Sequence, residues 1–312
     1  MENINIEHLY NRLLPSMEVL EQERILMSDK FTMLKKICIG VAVILVIVIG
    51  YFMGSFWGLF LGAVLGITIY TLMYHWMLSD YRKNYKIKIF HELIEELGPN
   101  YQYTVDGRIE DELLRKCGIF PEFTKVKCED LIEGNFDNYS FKMAETNLWF
   151  EAVRNKKHTS SGGAYSYIFK GLFFIGKIPI EFPTSIWIFS KDHPKVHPVS
   201  RVGDGWEKVR VNHSAFRMQY DIYTQNEDLA TQILQDGILD TIIETKDKVV
   251  DKNMRLELSF QQNMVFLSIS TTKELFEPPV KTPATDKEDF AANFKYLVNT
   301  THLLQQLTLV LP

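Results

Sequence analysis

Residues 37–78 contain no Asp, Glu, Lys or Arg. As one helix this block would be roughly 60 Å long at about 1.5 Å per residue. A hydrocarbon core is only about 30 Å thick. The block must therefore double back, and Gly54-Ser55 is where it can turn. Ile37–Met53 and Phe56–Leu78 are then each long enough to span a bilayer once. The first half holds ten Ile, Val and Leu residues; at about −0.3 to −0.6 kcal/mol each they contribute roughly −3 to −6 kcal/mol to insertion. A signal peptide is excluded, because its apolar region is about 7 to 15 residues and lies next to the terminus. Here the block starts after residue 36.

The flanks set an orientation. Lys30, Lys35 and Lys36 precede the block, Arg82, Lys83, Lys86 and Lys88 follow it, and the turn between the halves is uncharged. The positive-inside rule then places both termini, and the large domain after the block, in the cytoplasm. Tyr51, Phe52, Phe56 and Trp57 fall at the outer interface, and Tyr74, Trp76 and Tyr81 at the inner one.

Gly54, Gly58, Gly62 and Gly66 recur every four residues. The last three share one helix face, and a glycine groove lets another backbone approach closely in lipid. Two occupants are open at this point: the first span of the same hairpin, or a second subunit of a homo-oligomer.

Around the block, Ile6, Leu9, Tyr10, Leu13, Met17 and Leu20 mark an amphipathic helix, with Pro15 expected to kink or break it. Its mixed polar face suits packing on protein better than lying on lipid. The second span is expected to continue as a helical stalk to Leu97, ended by Gly98-Pro99.

Beyond Pro99 the pattern predicts strands at 101–105, 140–154, 165–176, 185–189, 207–212 and 218–224. Two more, 255–260 and 264–270, flank Gln261-Gln262-Asn263 as a hairpin. Thr159–Gly163 reads as another hairpin loop. Helices are expected at 109–117, 227–245 and 289–309. Pro278, Pro279 and Pro283 mark a linker. The fold class is α+β: a two-span helical hairpin, then a mainly antiparallel domain, with an amphipathic N-terminal helix and a C-terminal helix. The expected divisions are 1–34, 35–78, 79–98, 99–280 and 281–312.

A net charge of −5 with no basic stripe argues against nucleic acid. Cys38, Cys117 and Cys128 form no CxxC pair, as expected of free thiols. His91-Glu92-Leu93-Ile94-Glu95 lacks the second histidine of a zincin helix. His193 and His197 sit between prolines, in a segment better read as a loop than as a metal site. Gly203-Asp-Gly-Trp206 reads as a turn. Gly162-Gly163 is not followed by the GK[ST] of a phosphate loop, and no GxSxG occurs. Glu110, Asp111 and Glu112 are consecutive, so they cannot all face one substrate. No catalytic, cofactor or metal residue is assigned.

Tyr85-Lys86 with Leu93-Ile94, Gly118-Ile119-Phe120, Glu129-Asp130 with Gly134, Phe141 with Glu145, Ile168-Phe-Lys-Gly-Leu-Phe-Phe-Ile175 and Leu275-Phe-Glu-Pro278 resemble an uncharacterised bacterial membrane-protein family, domain of unknown function 3137. The likeness spans roughly residues 85–280. It implies a membrane-anchored bacterial domain, and no activity or site residues.

The sequence thus points to a non-enzymatic membrane-anchored module whose cytoplasmic domain binds a protein or ligand. The alternative is an oligomeric, toxin-like or defence effector whose glycine-lined hairpin assembles and perturbs the bilayer.

Overall fold

The computed structural model describes residues 6–53, 56–97, 100–136, 139–152, 164–191, 205–249 and 254–310. The chain clusters into two compact units. One comprises Tyr10–Leu93 with Glu277–Phe290, the other Met1–Leu9, Ile94–Phe276 and Ala291–Pro312.

The first unit is built on two long helices, α1 (Ile6–Met53) and α2 (Phe56–Leu97). Both are long and apolar enough to cross a membrane. Leu13, Met17, Leu20, Met27, Leu34 and Cys38 are buried along α1, at the three-, four- and seven-residue steps of a helix–helix seam. Leu78, Tyr81, Tyr85, Ile89, Phe90 and Leu93 are the large buried apolar residues of α2, and Lys86 is buried with them. Pro15 does not break α1, and the expected N-terminal amphipathic helix and first span are one continuous helix. A mid-helix proline costs about 3 kcal/mol; the completely buried Leu13 and Met17 on either side of it offset that cost. The apolar stretches are largely exposed, with only 11% and 17% of them buried within the chain.

Residues 277–290 are fastened to this helix pair. Glu277 pairs with Arg82 Nε and Lys86 Nζ, both at 2.9 Å. The Pro279 carbonyl accepts from Tyr81 Oη at 3.3 Å, and Ala284 N–H donates to Glu21 Oε2 at 2.6 Å. The Thr285 carbonyl accepts from Tyr10 Oη at 2.8 Å. The proline-marked linker is thus a bound strap over its first half.

The second unit is a seven-stranded, wholly antiparallel sheet among the described residues. Its strands are β1 (Tyr101–Thr104), β2 (Lys125–Phe136), β3 (Tyr139–Ala152), β4 (Ala164–Ser190), β5 (Glu207–Val209), β6 (Tyr220–Thr224) and β7 (Leu256–Ser270). The order is β1-β2-β3-β4-β6-β5, and β7 pairs with the other edge of β4. Short helices α3 (Asp111–Lys116), α4 (Ser214–Gln219), α5 (Glu227–Ile233) and α6 (Asp236–Val249) follow the strands. A last helix, α7, spans Lys287–Val310. One apolar cluster gathers Leu114, Ile119, Leu131, Ala144, Leu148, Phe169, Phe173, Trp187 and Phe266.

Several elements depart from the sequence reading. β2 was not anticipated. The runs 165–176 and 185–189 are one 27-residue strand, β4, whose register shifts lie between Lys177 and Ile186, where Pro179 and Pro183 fall. Its partner β7 bends with it: Gln262 has φ +53° and pairs with Phe182, so Gln261-Gln262-Asn263 is an irregularity within one strand, not a hairpin. Met218 lies in α4, and the strand begins at Tyr220. The helix 227–245 is two helices, interrupted at Leu234, whose φ, ψ of −85°, 62° is not helical.

Gly171 shows why β4 can serve two partners. Its φ is +154°, and a Cβ there would lie 2.0 Å from the Ile269 carbonyl oxygen. Only glycine allows β7 this close.

Candidate functional site

Two places in the sheet unit carry unusual chemistry. The first is a trough of about 580 Å³ across one end of the sheet. Antiparallel register brings Gln102, Glu133, Lys142 and Ile175 into one cross-strand row, and Asn135, Ser140, Lys177 and Met264 into the next row on the same face. Asn100 and Leu113 complete the lining with Gly134 and Phe141. Lys142 Nζ pairs with Glu110 Oε1 at 2.9 Å and Glu133 Oε1 at 3.3 Å. These bonds hold the Glu110 carboxyl below its ordinary range and raise Lys142. Carboxamides, a hydroxyl, two ammonium groups and the Glu133 carboxylate thus line the trough together with Leu113, Ile175 and Met264.

The second place is a buried carboxyl. Glu145, in the middle of β3, is 1% exposed. Its Oε2 accepts from Leu275 N–H at 3.0 Å, while Oε1 is buried without a hydrogen-bond partner. Glu274 lies beside it and is held low by Lys170, whose ammonium it binds. Burial first, then the charges of Glu274, Asp130 and Glu129, push the Glu145 carboxyl up to about 8. Asp130, 1% exposed with φ +59°, sits at the bulge of β2 and accepts from Tyr103 Oη at 2.5 Å. Lys127 Nζ neutralises Glu129 at 2.6 Å.

Sequence reasoning assigned no role to Glu145, Lys170 or Glu274. A signal was present. Glu145 falls in the strand pattern Met143-Ala-Glu-Thr-Asn-Leu148, where both alternating sets prove buried, so no face was left for a charge. Glu145, Lys170 and Leu275 also come from three of the segments that carry the family resemblance, and the fold brings them together.

Of the residues singled out for helix packing, a Cβ on Gly62 would lie 2.8 Å from Val46 Cα, and one on Gly66 would lie 2.4 Å from Ala42 Cβ. These glycines therefore face α1 of the same chain. Gly58 lies on α2, and its surroundings, like Gly54, are outside the described residues. His91 and Glu95 lie on α2. His193, His197, Gly162 and Gly163 are outside the described residues, as is the 159–163 loop; Gly205 is a turn residue with φ +98°. Among the described residues no His, Cys, Asp and Glu side chains group as a metal site. Cys117 and Cys128 are free thiols, both raised by burial.

No curated protein matches the chain significantly. Among solved structures, the mycobacterial trehalose monomycolate transport factor A, TtfA, aligns at 12% identity with a TM-score of 0.35, over 74% of this chain and 94% of that one. That likeness is too distant to carry over fold or function. Residues 167–309 match the family model described as a protein of unknown function, DUF3137, which is the family that the phenylalanine-rich strand and Leu275–Pro278 resemble.

Proposed function

We propose that this chain is a non-enzymatic, membrane-anchored module: residues 35–78 hold it in a bacterial inner membrane, 79–98 form a stalk, and the domain 99–280 binds a protein or ligand in the cytoplasm. One observation carries the anchoring. Ile44, Ile47, Phe52, Ile67 and Leu72 are each more than 60% exposed on a pair of long apolar helices. A continuous apolar surface of this kind is stable in lipid and not in water. The basic flanks support the orientation, and the polar trough supports binding. The assembling-effector reading needs a free glycine face, and Gly62 and Gly66 are already covered by Val46 and Ala42.

The test combines fractionation with complementation. The full chain stays in the membrane through an alkaline wash, and a chain lacking residues 37–78 is released. Lys142→Glu with Lys177→Glu leaves membrane insertion intact and abolishes rescue of a gene-deletion phenotype. Full rescue by the chain lacking 37–78 overturns the anchored reading. Full rescue by the double variant overturns the trough as the binding surface.

A further inference from the structure

We infer that Glu145 carries one exchangeable proton in the folded sheet, and that loss of this proton releases residues 271–276 from it. Glu145 is 1% exposed, no cation pairs with it, its Oε1 has no hydrogen-bond partner and its Oε2 accepts only from Leu275 N–H, and a carboxyl buried in that state keeps its proton. Glu274 is the half-exposed neighbour and is paired with Lys170, so it stays the anion. The proton belongs on the buried Glu145.

The groups facing Glu145 leave nothing to receive a second negative charge. From β2 come Glu129, directly opposite in register, with Asp130 and Lys127. From β4 come Lys170 and Tyr167, and from the covering segment Glu274. Tyr103 of β1 is committed to Asp130. Both lysines are already bound, Lys127 to Glu129 and Lys170 to Glu274. An ionised Glu145 would therefore face three carboxylates in a dry site and would need water.

The side that can yield is the irregular segment. β3 is laddered on both edges, by β2 and β4. Residues 271–276 have no ladder, and tie to the sheet through Leu275 N–H on Glu145, Thr271 N–H on the Lys170 carbonyl and the Lys170–Glu274 pair. The chain then continues to Glu277, which is paired with Arg82 and Lys86. The site is thus a proton-operated latch on the segment that follows β7. It stands independently of whether the trough binds a ligand.

The test is hydrogen exchange by mass spectrometry on the full-length protein in detergent, following peptides that cover 271–276 from pH 5 to 9, with times scaled for intrinsic chemistry. The wild type loses protection by about tenfold per pH unit up to about pH 8 and then levels off, as one proton released on opening requires. Glu145→Gln, a neutral isostere, removes this dependence. Glu274→Gln, at the exposed neighbour, moves the levelling-off to lower pH. A wild-type profile parallel to that of Glu145→Gln overturns the inference, as does a Glu274→Gln profile identical to wild type.

Discussion

Three glycines allow the cost of a methyl group to be separated into its parts. Gly171, Gly205 and Gly237 differ in one respect at a time. Gly237 lies in α6 with helical φ and nothing within 4 Å of an added Cβ. Gly237→Ala should stabilise the domain by about 0.5 kcal/mol, through lower unfolded-state entropy and better helix propensity. Gly205 has φ +98° and a nearest neighbour at 3.9 Å, so Gly205→Ala carries backbone strain alone, about 1–2 kcal/mol.

Gly171 adds collision to strain. Its Cβ would lie 2.0 Å from Ile269 O, whereas real Cβ contacts essentially never fall under 3.0 Å. β4 and β7 must separate locally by about 1 Å, which breaks the register Gly171↔Ser270 and Leu172↔Ile269 and the adjoining Thr271 N–H bond to Lys170. Two or three hydrogen bonds at about 1 kcal/mol each, added to the strain, put the loss at about 3–5 kcal/mol. Urea denaturation of the detergent-solubilised chain, followed by tryptophan fluorescence, gives the three values. Equal losses at Gly171 and Gly205 would refute the argument that interstrand contact, and not φ, makes Gly171 necessary.

Other outcomes follow from the same contacts. Glu145 has a folded value of about 8 against 4.5 unfolded, so the folded state holds the extra proton between these limits. Its stabilisation is complete below about pH 4.5 and is lost as pH rises towards 8; Glu145→Gln should therefore gain on wild type by about 1.4 kcal/mol per pH unit in that window, reaching about 3 kcal/mol at pH 7. Parallel denaturation midpoints for the two proteins across this range would exclude it. Gly66→Leu should destabilise the chain by about 1–3 kcal/mol in urea denaturation, because even a Cβ there would lie 2.4 Å from Ala42 Cβ, whereas unchanged stability with a smaller oligomer in detergent would favour packing between subunits. Ser55→Cys should react with an impermeant thiol reagent added outside intact cells, and labelling only after lysis would reverse the assigned topology.

The two long apolar helices were legible because their length and composition are stated directly by one sequence. α1 was read in two pieces because Pro15 is a strong local signal, and the burial that overrides it comes from seam residues along the helix. β2 was invisible for the opposite reason. Lys125-Val-Lys-Cys-Glu-Asp-Leu-Ile-Glu-Gly-Asn-Phe136 has weak strand propensity and becomes a strand by pairing β1 on one edge and β3 on the other. The Gln261–Asn263 irregularity resembles a turn in isolation, and its meaning depends on β4 bending beside it. Glu145 shows the limit most clearly: its state is set by Leu275, 130 residues away, and by a neighbouring carboxyl that no periodicity announces.

The uninterrupted course of α1 makes the helix pair a lever. About 27 residues of α1 precede the apolar block in this unit, roughly 40 Å of helix at about 1.5 Å per residue. No loop or hinge divides that length from the part proposed to lie in the bilayer. A change of about 10° in tilt, well within the range transmembrane helices adopt, would sweep the far end through about 7 Å. Bilayer thickness would thus become a mechanical input, delivered to the segment of chain that the strap holds against Tyr10 and Glu21.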